Sequence, residues 1–184
     1  MRKILLVAAM LLSGCDGCDK VKQLANINKD IEYKETVDLP GLPGGDTVVP
    51  AGGISADLPR YAMATNSAEY LKQYNTSPNL VTHVKLKSLG MTIVAPDAQY
   101  FNFLDSVRLF VNATGLPEQL AAYKYNIAKG MKTVDMNVAD LNLKEYFLKD
   151  SMYFRINAHF TAIPNDSTKL EIKSVFNILA NPLN

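Results

Sequence analysis

Residues 151–162, SMYFRINAHFTA, alternate without a slip. Met152, Phe154, Ile156, Ala158, Phe160 and Ala162 share one parity; Ser151, Tyr153, Arg155, Asn157, His159 and Thr161 hold the other. A strand points successive side chains to opposite faces, so this period predicts a strand with one dry and one wet side. After Pro164-Asn165-Asp166-Ser167 the pattern resumes in Leu170, Ile172, Ser174, Phe176 and Ile178. Two such runs around a short polar turn predict a long antiparallel hairpin in a sheet packed on one side.

Working back from this pair, the same period recurs. Val107, Leu109 and Val111 alternate with Arg108, Phe110 and Asn112; Leu120–Ile127 and Thr133–Val138 read as further strands. Leu80–Val94 is long, and its apolar parity changes near Ser88-Leu89, which predicts a β-bulge. From Asp30 to Leu39, Ile31, Tyr33, Val37 and Leu39 face one way, with Glu35 interrupting the apolar side as on an edge strand. Two helical pieces are expected. One spans 65–74, with Thr65 or Asn66 as cap, capping-box spacing from Asn66 to Glu69, and Ala68, Leu71 and Tyr74 on one face. The other lies within 140–149, capped by Asn142, with Leu143, Phe147 and Leu148 facing inward. Residues 40–53 are dense in Pro and Gly and read as a crossover loop in which Val48-Val49 can pair briefly. The expected fold is all-β with one or two short helices: an antiparallel β-sandwich, immunoglobulin-like or jelly-roll-like, of about seven to eight strands. A chain of 184 residues, 48% hydrophobic and 20% charged, suits one packed body, here residues 30–184.

The amino end has a different logic. Arg2 and Lys3 precede the nine-residue apolar run Ile4–Leu12, followed by Ser13-Gly14-Cys15. This is the order of an export signal, and the run is too short to span a bilayer, which needs roughly 20 residues. Leu12-Ser13-Gly14-Cys15 resembles the lipobox of bacterial lipoproteins. The resemblance implies a signal peptide at 1–14, fatty acylation at Cys15, a tether over 15–29 and a membrane-held, exported body. Removing Arg2 and Lys3 leaves 17 basic against 18 acidic residues, so attachment would rest on acyl burial, about 0.8 kcal/mol per CH₂. Asp16 resembles an inner-membrane retention signal in enteric bacteria and accompanies surface export in other groups. The outer membrane is the favoured expectation, with the body facing periplasm or cell surface and the inner membrane left open. Cys15 and Cys18 form a C-x-x-C outside any βαβ setting, and an acylated Cys15 cannot serve redox chemistry.

Little else carries chemistry. A balance of 19 basic and 18 acidic residues offers no general attraction to nucleic acid. His83 and His159 are the only imidazoles, both at strand positions expected to be solvated; Gly53-Ile54-Ser55-Ala56 lacks the second glycine of a nucleophile elbow. No metal-ligand or phosphate-loop spacing occurs, and no catalytic residue, metal or cofactor is expected. Tyr123, Tyr125, Tyr146 and Tyr153 are candidates for stacking a ligand. Four Asp-Ser/Thr steps, at Thr47, Ser106, Ser151 and Ser167, resemble O-glycosylation sites of exported Bacteroidota proteins and suit turns equally well. The expectation is a non-enzymatic envelope lipoprotein with a structural or protein-binding role. A glycan-binding lipoprotein is the alternative and a carboxylate-based hydrolase a third.

Overall fold

The computed structural model describes residues 27–41, 49–164 and 166–181. Cys15, Cys18, Thr47, Val48 and the leader therefore lie outside the described residues. Ten strands form: β1 Ile27–Leu39, β2 Ile54–Asp57, β3 Tyr61–Ala64, β4 Val81–Ala95, β5 Leu104–Asn112, β6 Gln119–Lys124, β7 Thr133–Asp135, β8 Asn137–Val138, β9 Ser151–Phe160 and β10 Thr168–Ala180. Two short helices, α1 Ser67–Gln73 and α2 Lys144–Phe147, accompany them among the described residues. None of the described helices is long and apolar enough to cross a membrane.

The strands divide into a four-stranded sheet, β1-β10-β4-β7, and a six-stranded one, β2-β9-β5-β6-β8, with β3 also paired to β9. β2 and β3 occupy one edge in succession: β2 pairs with Asn157–Phe160 and β3 with Ser151–Phe154. Pro59, between them, has no N–H to give the ladder. Counting β2/β3 and β7/β8 as interrupted single strands leaves eight. In that count the four-stranded sheet reads first, eighth, third, sixth and the other second, seventh, fourth, fifth, with the two-residue β8 bringing the sixth strand beside the fifth. That interleaving is the jelly-roll order, and it decides against the immunoglobulin arrangement, whose sheets join consecutive strands D and E, or F and G.

The predicted hairpin at the carboxy end does not form. β9 is central in the six-stranded sheet and β10 central in the four-stranded one. Alternation reports which face is dry and says nothing of the partner. Residues 161–167 are long enough to cross the roughly 10 Å between packed sheets, where a tight hairpin would need two to five. Both strands still bury their apolar parity, including Met152, Phe154 and Ile156 from β9 and Leu170, Ile172 and Phe176 from β10.

Other boundaries shift for local reasons. β1 starts at Ile27, earlier than the alternation indicates, because Ile27, Asn28 and Lys29 pair with Ala180, Leu179 and Ile178. It is an edge strand, as Glu35 suggests. The bulge in β4 falls at Lys87, where Val175 and Phe176 of β10 face Ser88 and Leu86. The run 133–138 changes sheets: β7 pairs with β4 and β8 with β6. In α1 the expected capping box is not made. Asn66 sits in the left-handed region with no side-chain cap, while buried Thr65 donates to the Lys149 carbonyl at 2.5 Å and accepts from Ser67 N–H at 3.4 Å. Ala68 faces solvent rather than the core. The N-cap of α2 is Leu143 rather than Asn142, which sits one residue earlier and accepts from Lys144 N–H at 3.1 Å and from Val84 N–H at 3.2 Å, tying the helix to β4.

Candidate functional site

The outer face of the six-stranded sheet carries Tyr123, Tyr153 and Phe110 together with Arg108 and Arg155. Antiparallel register sets its rows. Ser55, His159 and Ser106 align across β2, β9 and β5; Asp57, Asn157, Arg108 and Tyr123 form the next row. Arg155 and Phe110 follow, then Tyr153 and Asn112. Each belongs to the solvent parity of its strand, so packing of the core leaves its chemistry free.

Arg155 organises the centre. Its Nε and Nη2 donate to the two carboxylate oxygens of Glu118 at 3.0 and 2.5 Å, and its Nη1 donates to Asp57 at 2.9 Å. Its guanidinium lies 4.1 Å from the Phe110 ring centroid. Asn157 joins the network, donating to Asp57 at 2.7 Å and accepting from Arg108 at 2.7 Å. Hydrogen bonding to Arg155 holds the Glu118 carboxyl below its ordinary value; Asn157, then Arg155, do the same for Asp57. Two carboxylates therefore converge here, but both are stabilised in the charged form. A general acid needs the opposite shift, so this pair gives a carboxylate hydrolase no support.

Beside the network stand Tyr123 and Tyr125, with ring centroids 5.3 Å apart and planes tilted by 36°. Tyr125 is half exposed. The other two candidate tyrosines do not join them. Tyr153 is exposed but pairs with Asn112, four residues along β5 from the Arg108 that faces Tyr123, or about 13 Å at strand rise. Tyr146 is only 7% exposed and donates to the Pro117 carbonyl at 2.7 Å. It is a packed residue of α2 and does not present its ring for stacking a ligand. Of the Asp-Ser steps, Ser106 and Ser151 are half-buried in or at the start of β5 and β9, while Ser167 is exposed in the connection before β10.

One pairing is invisible to sequence spacing. Ser55 and His159, 104 residues apart, meet with Oγ 3.0 Å from Nδ1, and His159 Nε2 lies 3.0 Å from the Gly52 carbonyl oxygen. Gly53, with φ +77°, makes the approach feasible: a Cβ there would overlap the imidazole and stand 2.7 Å from the Phe160 carbonyl oxygen. No local motif announces the pair because β2 and β9 meet only through the sheet. His83 is exposed on β4. Among the described residues no three of His, Cys, Asp and Glu converge to hold a metal ion.

No protein-family model matches the chain, and no curated protein does. Among solved structures, the decameric BFDV capsid protein is similar over 84% of this chain and 99% of its own, at 9% identity and a TM-score of 0.41. A chain of Desmodium yellow mottle tymovirus is similar over 100% of this chain and 94% of its own, at 16% identity and a TM-score of 0.28. A turnip yellow mosaic virus chain matches over 85% of this chain and 97% of its own, at 14% identity and a TM-score of 0.27. Likenesses at such scores carry nothing about activity or partners, and the jelly-roll assignment rests on strand order alone.

Proposed function

We propose that this chain is an exported bacterial lipoprotein, held to the membrane by acylated Cys15, whose jelly-roll body binds an envelope protein. The observation that carries the binding part is the pair of half-buried Tyr123 and exposed Tyr125 on the same sheet face as Arg108 and Arg155. Tyr and Arg are over-represented where protein surfaces recognise one another, because each offers broad contact area and directed hydrogen bonds. The outer membrane is the favoured location, and the leader motif supports the anchor.

A photo-crosslinking residue at position 125, introduced in the native host, tests the reading. A single envelope protein should be captured, and capture should fail when Tyr123 and Arg108 are both alanine. Random capture at all surface positions would refute it. Mass spectrometry of the native protein should find an amino-terminal acylated Cys15, and Cys15→Ala should release the body from membranes. The tilted tyrosine pair also favours a second reading, stacking of a sugar ring, for which a broad glycan array is the test.

A further inference from the structure

We infer that Ser55 is an activated nucleophile and His159 its general base, so that the chain reacts covalently with small, activated acyl or phosphoryl compounds. The arrangement has the three parts such chemistry needs: a nucleophile, a base in hydrogen-bond reach, and a group that orients the base. A carbonyl oxygen only accepts, so in the neutral ring Gly52 holds the proton on Nε2. Nδ1 is then bare, and the Ser55 hydroxyl donates to it. The orienting group is main-chain carbonyl where a familiar triad has a carboxylate.

The open edge of β2 supplies a place for developing charge. Leu58 N–H donates to the Ile156 carbonyl at 2.8 Å, and the same register continues through Ala56 with Ala158 and Ile54 with Phe160. Antiparallel pairing alternates bonded and non-bonded pairs, so Ser55 and Asp57 direct their own N–H groups to the open edge. Among the described residues neither of these N–H groups has a partner. An acyl carbonyl approaching Ser55 along this edge can accept from the Ser55 N–H as its oxygen gains charge.

The step balances within these groups. Ser55 Oγ bonds to the ester carbonyl carbon as its proton passes to Nδ1. The carbon–oxygen bond to the leaving group breaks, and that alkoxide takes the proton from Nδ1. Ser55 is left acylated, and attack by water in the same sense returns free Ser55 and a carboxylic acid. With a fluorophosphonate, an oxygen–phosphorus bond forms, fluoride leaves, and the serine proton is released to solvent through His159.

The whole chain, treated with a fluorophosphonate probe and mapped by peptide mass spectrometry, should carry its adduct on Ser55. Ser55→Ala should abolish labelling and His159→Gln should lower it at least tenfold. Ser106→Ala, which removes the hydroxyl on the other side of His159, should leave labelling unchanged. Hydrolysis of p-nitrophenyl acetate should follow the same ranking. Labelling spread over exposed serines, or retained in His159→Gln, would overturn the assignment. A second measurement needs no variant at the site. With His83→Gln to leave one imidazole, ¹⁵N shifts should read Nε2 as protonated and Nδ1 as bare, and the reverse tautomer would equally overturn it.

Discussion

The two sheets bury similar side chains against each other and present opposite chemistry to solvent. Outside the four-stranded sheet the outward positions of β1 and β10 hold no Phe or Tyr. They carry lysine and carboxylate in ion pairs, Lys173 with Glu32 at 2.7 Å and Asp30 with Lys87 of β4 at 2.5 Å, and β4 adds Lys85 with Asp140 at 2.7 Å. Asn177 donates to both Asn28 and Asp30. Outside the six-stranded sheet stand Tyr123, Tyr125, Tyr153, Phe110, Arg108 and Arg155. The core constrains only the inward parity of each strand, so outward residues report other demands. Lysine is strongly hydrated and keeps a long edge such as β1 from pairing with a second chain. Arginine over an aromatic ring, next to exposed tyrosines, is the composition of a surface that expects contact.

This contrast can be tested in descending order of effect. If the inner faces are equivalent, Phe176→Ala in β10 and Phe154→Ala in β9 should each cost about 3–5 kcal/mol in urea denaturation, since both rings are at most 2% exposed. A large inequality would place the core in one sheet only. Partner capture should separate the outer faces next. Tyr123→Ala should cost about 2 kcal/mol of binding, while Lys85→Ala and Lys87→Ala leave it unchanged in the same crosslinking assay. Arg155→Lys keeps the charge but loses the fork to Glu118 and the plane over Phe110; about 1 kcal/mol of stability should go, measured by thermal melting. Lys173→Ala, on the opposite face, should fall within about 0.5 kcal/mol of the parent.

The acid limb sharpens the same comparison. Glu118 and Asp57 have lowered pKa values, from ordinary values of 4.5 and 3.8, so the stability they confer is complete above those values. It is lost as pH falls through the lowered ones. Urea midpoints should therefore drop on acidification below about pH 5, and Arg155→Gln should make that drop shallower. It should not erase it, because Lys87 and Lys173 lower Asp30 and Glu32 on the other face.

Strands were legible wherever alternation ran long. β9 and β10 follow it residue for residue, β5 does so from Val107 onward past an irregularity at Asp105, and the parity change in β4 located a bulge to within two positions. β2 was not legible, because Ile54–Asp57 is exposed throughout and an edge strand with no buried residue leaves no period to read; β3, four residues around buried Met63, is too short to show one. The candidate site divides in the same way. Tyr123 and Tyr125 are near neighbours in the chain and stayed together. Tyr146 was lost to the interior because an amphipathic ring near a helix fits a core edge as well as a ligand.

Residue order alone determined that the chain folds as strands and which parity of each long strand is dry. Only tertiary structure decided which strand lies beside which. It separated β9 from β10, aligned Ser55 with His159, and gathered Arg108, Arg155, Asp57 and Glu118 into one network. The physical reason is range. Alternation is a property of neighbours along the backbone, whereas strand partners are chosen by two sheets closing over a shared core, which no local window contains.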